Sequence, residues 1–245
     1  MQNPETWRPT RWIKDDRSGE FVVNRRLTYG GSLYLAELQR EAYLPLFKEH
    51  LTGSLLDIGC GPVPYYGMYS KLVNEVVCVD YPGSIHGLSL LDHQIDLNKD
   101  PVLPFPNERF DCVLATDMIA HIQQPYVFMA ETARILKPGG KAIITSTFIN
   151  WMGEFPFEYG HPSGPGLRKM AEASGLEVVY LESYGGHADV FMDTVNKFFP
   201  AGLGNRVFLA FAKLVNMTSW PARNRARTKD RYAIGNSMVV RKPRV

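Results

Sequence analysis

Cysteine is scarce in this 245-residue chain: Cys60, Cys78 and Cys112 are its three thiols. No pair has the spacing of a zinc site or a redox motif, which excludes a disulfide-stapled scaffold and a sequence-local metal centre. Each falls in or beside an apolar run, so buried free thiols in a reducing compartment are expected. Long apolar runs are missing as well. None approaches the roughly 18 residues of a membrane span, and Met1-Gln2-Asn3-Pro4-Glu5-Thr6-Trp7 has no signal-peptide core. The expected location is cytoplasmic. Charge of one sign is also lacking: a net +2 gives no nucleic-acid footprint. Internal repeats are absent. The length suits one large α/β domain with terminal additions rather than two independent cores.

Against that plain background one stretch stands out. Leu55-Leu56-Asp57-Ile58 is a short apolar strand, and Gly59-Cys60-Gly61 turns the chain where a β-carbon would block close approach of a ligand. Nineteen residues after Gly61, Asp80 closes a second apolar run, the position in a βαβ unit where one carboxylate accepts two ribose hydroxyls. The pair predicts a nucleoside crevice. A dinucleotide fingerprint requires a third glycine at residue 64, where this chain has Pro64, a residue that suits a helical first turn. Asp57 would also repel a phosphate, and instead suits a ligand carrying cationic ammonium and sulfonium groups. A nicotinamide dehydrogenase and a ligand-free tight turn are the competing readings of these residues.

Helical spacing of Leu35, Leu38, Ala42 and Leu46 predicts a helix over residues 32–49, placed to cover a ligand, after an irregular arm carrying Trp7, Trp12 and Phe21. Ile95-Asp96-Leu97 reads as a short third strand and residues 110–115 as a fourth, buried on both faces. A helix over 125–136 is expected to stop at Lys137-Pro138-Gly139-Gly140 before a fifth strand at 142–146. Ser163 is a plausible N-cap for a helix ended by Gly175, followed by strands at 176–181 and 237–240. The alternation predicts a mostly parallel sheet with helices on both faces. The expected division is an arm and helix over 1–52, a core over 53–186, a helical and basic insertion over 187–231 and a last strand over 232–242.

These motifs together resemble the class I S-adenosylmethionine-dependent methyltransferases, of the type 11 group associated with polysaccharide and glycolipid biosynthesis. The likeness rests on Asp57-Ile58-Gly59-Cys60-Gly61, on Asp80, on Phe110-Asp111-Cys112-Val113-Leu114-Ala115-Thr116-Asp117 running to His121, and on Arg134-Ile135-Leu136-Lys137-Pro138-Gly139-Gly140. It implies a Rossmann-like seven-stranded α/β sheet with an antiparallel last strand. It also implies S-adenosyl-L-methionine as cofactor, held by Asp57, Gly59, Cys60, Gly61, Asp80 and Tyr81, with Asp96 and Leu97 at the adenine and Thr116 at the methionine end. Pro156-Phe157-Glu158-Tyr159-Gly160-His161-Pro162-Ser163 resembles the Pro-x-Asp-Tyr-Tyr-Arg-Tyr-Thr segment of the sugar-linked relatives. Glu158, His161 and Ser163 replace Asp, Arg and Thr, and Gly160 and Pro162 replace aromatic residues, so the acceptor site has diverged.

Methyl transfer is an in-line displacement in which alignment supplies much of the rate. A sugar hydroxyl also needs its proton removed, and His161 and His121 are the candidate bases, with Glu158 placed to orient His161 or to bind acceptor hydroxyls. Asp117 is a candidate ligand or a turn cap. No metal is expected from these scattered side chains. Within the insertion, residues 207–215 are apolar almost all round, and Arg223, Arg225, Arg227, Lys229 and Arg231 alternate, which in an extended segment would put all five on one face. The expected partners are a small-molecule, sugar or lipid-linked acceptor, with an anionic membrane surface or a second copy of the chain against the insertion. Methylation of a small natural product and noncatalytic cofactor binding remain the alternatives.

Overall fold

A computed structural model describes residues 1–84 and 89–244. The turn-rich segment expected after Asp80 therefore lies partly outside the described residues. In chain order the elements are strands β1 (Trp12–Lys14) and β2 (Phe21–Val23), helix α1 (Leu33–His50), β3 (Ser54–Ile58), the one-turn helix α2 (Tyr66–Tyr69), β4 (Glu75–Asp80), β5 (His93–Gln94) and β6 (Phe110–Ala115). Then come α3 (Pro125–Ile135), β7 (Leu136–Thr147), α4 (Gly164–Ala173), β8 (Glu177–Tyr184), α5 (His187–Phe198), α6 (Gly202–Asn216), α7 (Trp220–Tyr232) and β9 (Gly235–Arg241).

Seven strands form one sheet in the order β5-β4-β3-β6-β7-β9-β8. Only β9 runs antiparallel, pairing with β7 on one side and β8 on the other. This is the expected Rossmann-like architecture. The period-2 alternation of each strand divides the core. Leu55, Cys112, Leu114, Ile143 and Val239 face α1 and the aromatic residues around α2, whereas Leu56, Val113, Ala115, Ala142 and Ile144 face α3 and α4. Both faces are buried, as a parallel sheet requires. A third small cluster joins Tyr34, Leu35 and Leu38 of α1 to Met192, Phe208 and Ala212 of the insertion. All three cysteines are buried and free.

Several local expectations change. The N-terminal arm is a hairpin, Trp12 opposite Val23 and Lys14 opposite Phe21, closed by an Asp15 side chain that accepts from the Arg17 and Ser18 amides. Trp12 is 2% exposed and stacks on Tyr65 at 4.4 Å, so burial of one indole orders a segment with no repeating pattern. The third sheet strand is His93–Gln94, paired with Val79 and Asp80, rather than residues 95–97. Lys137-Pro138-Gly139-Gly140 does not cap α3, because β7 starts directly after Ile135 and includes all four residues. Gly139 has φ +81 and lies at a register shift in the β6–β7 pairing, so the glycine kinks a strand. Pro64 precedes α2 by two residues instead of occupying its first turn. The basic strip of the insertion is helix α7, so its five cations are spread around a cylinder.

Candidate functional site

Strands β3, β4 and β6 end side by side, which delivers the turns after Ile58, Asp80 and Ala115 to one edge of the sheet. In open α/β sheets that carboxyl edge is where ligands sit. The glycine turn is built of backbone: the Gly59 amide donates to the Val79 carbonyl at 2.8 Å, and Gly59 and Gly61 have φ of 67° and 53°. A β-carbon on Gly59 would lie 2.6 Å from Cβ of Met118, the residue two beyond Thr116. Glycine is therefore required there both by torsion and by space. Val63, φ 50°, is a rare non-glycine in the same region and is fully buried.

Asp57 is 2% exposed in the middle of the sheet. Tyr69 donates to its Oδ2 at 2.6 Å, while its Oδ1 is buried with no hydrogen-bond partner. Burial pushes this carboxyl up to about 7, Tyr69 works against the shift, and the neighbouring Asp80 adds to it. A buried carboxylate oxygen without a donor is costly unless a ligand supplies one, and a cationic ligand also relieves the desolvation. The residues thus fit the amino group of the expected cofactor. Asp80 ends β4 half-buried, its Oδ1 taking the Tyr81 amide at 2.8 Å, and Tyr81 beside it is 48% exposed. Asp96 is engaged locally, with Oδ1 on the Asn98 amide and Oδ2 3.3 Å from Lys99. Leu97 packs on the sheet core, Cys60 is buried in the glycine turn, and Thr116 is half-buried directly after β6.

A second cluster of candidate residues forms around the turn that follows β6. Asn98 donates to the His121 carbonyl at 2.9 Å and accepts from the Gln123 amide, tying the segment after β5 to the turn after β6. The loop after β7 docks on the same turn: the Tyr159 amide donates to Ala120 O at 2.7 Å, and His121 Nδ1 lies 2.9 Å from the Phe157 carbonyl. A carbonyl only accepts, so His121 carries its proton on Nδ1 and acts as a clasp on the loop. Glu158 reaches two ways. Its Oε1 accepts from the Gly153 and Glu154 amides, and its Oε2 lies 2.8 Å from His161 Nε2. With Nε2 donating to that carboxylate, the lone pair of His161 is left on Nδ1, the arrangement of an oriented base.

Sequence reading left the role of Asp117 open, and the structure gives it a buried network. Its φ is 56°, and its carboxylate accepts from Gln39 at 2.8 Å and from Tyr43 at 3.0 Å, with Tyr43 in turn 2.9 Å from the Tyr184 hydroxyl. Burial raises its pKa. It tethers α1 to the edge of the sheet rather than capping a turn. Gln39, Tyr43, Tyr69 and Tyr184 had no local signal. Among the described residues no group of three or more His, Cys, Asp or Glu side chains could hold a metal.

Residues 56–144 match the family model Methyltransf_11, described as a methyltransferase domain. The chain carries a methyltransferase domain. Over 103 residues it is 32% identical to a ubiquinone biosynthesis O-methyltransferase of Bradyrhizobium sp. (strain ORS 278), covering 40% of this chain and 41% of that protein. The chain thus spans less than half the length of that curated relative. A solved SAM-dependent methyltransferase from Archaeoglobus fulgidus superposes with a TM-score of 0.54 at 15% identity, over 85% of this chain and 93% of that one. The [4+2]-cyclase SpnF does so at 0.54 and 17%, over 83% and 81%. At such identities these likenesses establish the class I fold. The methyltransferase domain and its fold imply S-adenosyl-L-methionine as the cofactor.

Proposed function

We propose that this protein transfers a methyl group from S-adenosyl-L-methionine to a hydroxyl oxygen of a small acceptor. The observation that carries this reading is the unpaired, buried Oδ1 of Asp57 beside a glycine turn in which position 59 leaves no room for a side chain. When bound, the cofactor supplies an electrophilic methyl on a sulfonium. Asp57 would neutralise its ammonium group, Asp80 would accept its ribose hydroxyls, and the backbone of residues 59–61 would lie against it. Glycine turn, Asp80 and Thr116 converge on one sheet edge, which supports alignment of acceptor and methyl as the main source of rate. His161, oriented by Glu158, takes the acceptor proton at Nδ1 as the new bond forms, and His121 holds the loop that presents it.

Oxygen as the acceptor atom is supported by the oriented histidine and by the likeness to ubiquinone biosynthesis O-methyltransferases. For the acceptor class we retain a carbohydrate or glycolipid precursor, because the segment from Pro156 to Ser163 keeps the order of the sugar-linked motif while changing its side chains. A quinone-like or other small aromatic acceptor is the second reading, favoured by the exposed Trp151, Phe155 and Phe157 on the same loop. A glycolipid acceptor would be met at a membrane surface, so contact of the insertion with a bilayer belongs to the first reading.

Incubation with methyl-labelled cofactor and fractionated cell extract tests both levels. A labelled product is expected, and its mass spectrum separates a sugar from an aromatic ring. Calorimetric cofactor binding with no label transferred to any fraction would instead make this a noncatalytic cofactor-binding protein, and tight NADH binding without S-adenosylmethionine binding would overturn the reading altogether.

A further inference from the structure

Between Asp193 and Asp230 the chain contains no acidic residue and seven basic ones: Lys197, Arg206, Lys213, Arg223, Arg225, Arg227 and Lys229. Three of the seven are held in ion pairs. Arg225 grips the buried Asp189 through two hydrogen bonds of 2.8 and 2.9 Å, Lys229 pairs with Glu182, and Lys197 pairs with the buried Asp193. Arg206, Arg223 and Arg227 are exposed and have no ion pair among the described residues. Lys213 shares a cavity with Glu37 and Glu41 on the inner flank of α6, which leaves the other three as the available cations.

Helix α6 has two apolar faces. Phe208 and Ala212 pack inward on α1 and α5. Leu203, Val207, Phe211 and Leu214 recur at i, i+4, i+8 and i+11, so they form one stripe on the opposite side. They are 76%, 60%, 55% and 64% exposed, with Phe198 and Met217 exposed at either end. A continuous apolar stripe of this size on a protein surface marks an interaction site. Three residues beyond Met217, where α7 begins, Trp220 lines a cavity of about 290 Å³ with Arg223 and Arg227, an indole beside two guanidinium groups. No helix among the described residues is long and apolar enough to cross a membrane. Apolar ridge, flanking indole and unpaired arginines are the signature of a helix lying in an anionic interface.

We propose that the outer face of α6, with Phe198, Trp220, Arg223 and Arg227, docks on a bilayer surface containing anionic lipids. The surface is continuous with the acceptor loop: Lys197, the residue before Phe198, donates to Asn150 at 2.9 Å and lies 5.6 Å over the Trp151 ring. Docking would therefore bring the loop bearing His161 to the membrane. This deepens the glycolipid reading and rests on it only for what the loop meets there. Vesicle binding is read without turnover, so its failure and a failure of methyl transfer are separate results.

The test is flotation of the full chain with phosphatidylcholine vesicles, with and without about 30% phosphatidylglycerol, at about 0.1 M and about 0.5 M salt. Binding is expected on the anionic vesicles only and weaker at high salt. F211E/L214E and, separately, R223E/R227E should each lower the bound fraction about tenfold. Because all four side chains are exposed, melting temperature and cofactor affinity should stay unchanged. Wild-type protein that fails to float with anionic vesicles overturns the proposal, as does binding that either variant leaves intact. A dimer in sedimentation velocity that F211E/L214E dissociates, with no wild-type vesicle binding, would assign the face to a second copy.

Discussion

The loop after β3 and the loop after β7 leave parallel strands of one sheet with β6 between them, yet they are finished in opposite ways. In the first, Cys60, Val63 and Tyr65 are buried and the Gly59 amide is spent on Val79. In the second, Trp151, Met152, Phe155, Phe157 and Tyr159 are between 47% and 78% exposed, and the loop is fastened through Glu158, His121 and the Tyr159 amide. One loop presents backbone and a fixed carboxylate; the other presents mostly exposed apolar side chains. A ligand of constant shape suits the first, and a variable acceptor suits the second. Changes in one half should then spare the other.

The largest expected effect breaks the acceptor half alone. His161→Ala removes the oriented base, and kcat is expected to fall about 100- to 1,000-fold in a labelled-methyl assay. Calorimetry should find cofactor affinity unchanged. Turnover that survives would remove His161 from proton transfer, and a matching loss of cofactor affinity would show that the halves are one site. The reciprocal change is Asp80→Ala. Loss of a charged acceptor for two hydroxyl donors should weaken cofactor binding about 100-fold, or about 2–3 kcal/mol. At saturating cofactor kcat should hold near the wild-type value.

A pair of glycines sharpens the contrast in stability. Gly59→Ala meets Met118 Cβ at 2.6 Å in a left-handed backbone, so a loss of about 2–3 kcal/mol is expected in urea denaturation. A β-carbon on Gly160 meets nothing within 4 Å, so Gly160→Ala should shift stability by less than about 0.5 kcal/mol. Equal losses would mean that the two loops are equally constrained.

The same division governed what could be read from sequence. Asp57, Gly59 and Asp80 were legible because their demands are local: torsion, space and charge at a strand end. The sheet followed from its apolar runs, each 5–12 residues long where they became strands β3, β4, β6 and β7. What stayed hidden depended on distant partners. Gly139 looked like a helix stop, but its amide donates to the Lys242 carbonyl, and that pairing extends β7 through it. Arg223 to Arg231 alternate like a strand, but Asp189 and Glu182 hold Arg225 and Lys229 on a helix. Asp117 finds Gln39 and Tyr43 more than 70 residues away. Local periodicity carries no trace of such contacts.

The smallest effect concerns the buried carboxylate of the cofactor half, Asp57. Asp57 titrates near 7 because burial disfavours its charge, so the proton is on below that pH and off above it. A cationic ammonium binds only the charged form. Cofactor affinity should therefore be flat above about pH 8 and fall about tenfold per unit below about pH 6. Without ligand the sign reverses. A carboxyl whose folded pKa is raised stabilises the fold fully below its unfolded value near 3.8 and loses that contribution as pH rises through about 7. Ligand-free protein should accordingly melt lower at pH 8 than at pH 6, while saturated protein should not. Asp57→Asn should abolish both slopes, raising the ligand-free melting temperature at pH 8 by about 5 °C and weakening cofactor binding there about tenfold. A pH-independent wild-type affinity would mean that the unpaired oxygen of Asp57 meets a neutral donor, and that the glycine turn, not the charge, holds the ligand.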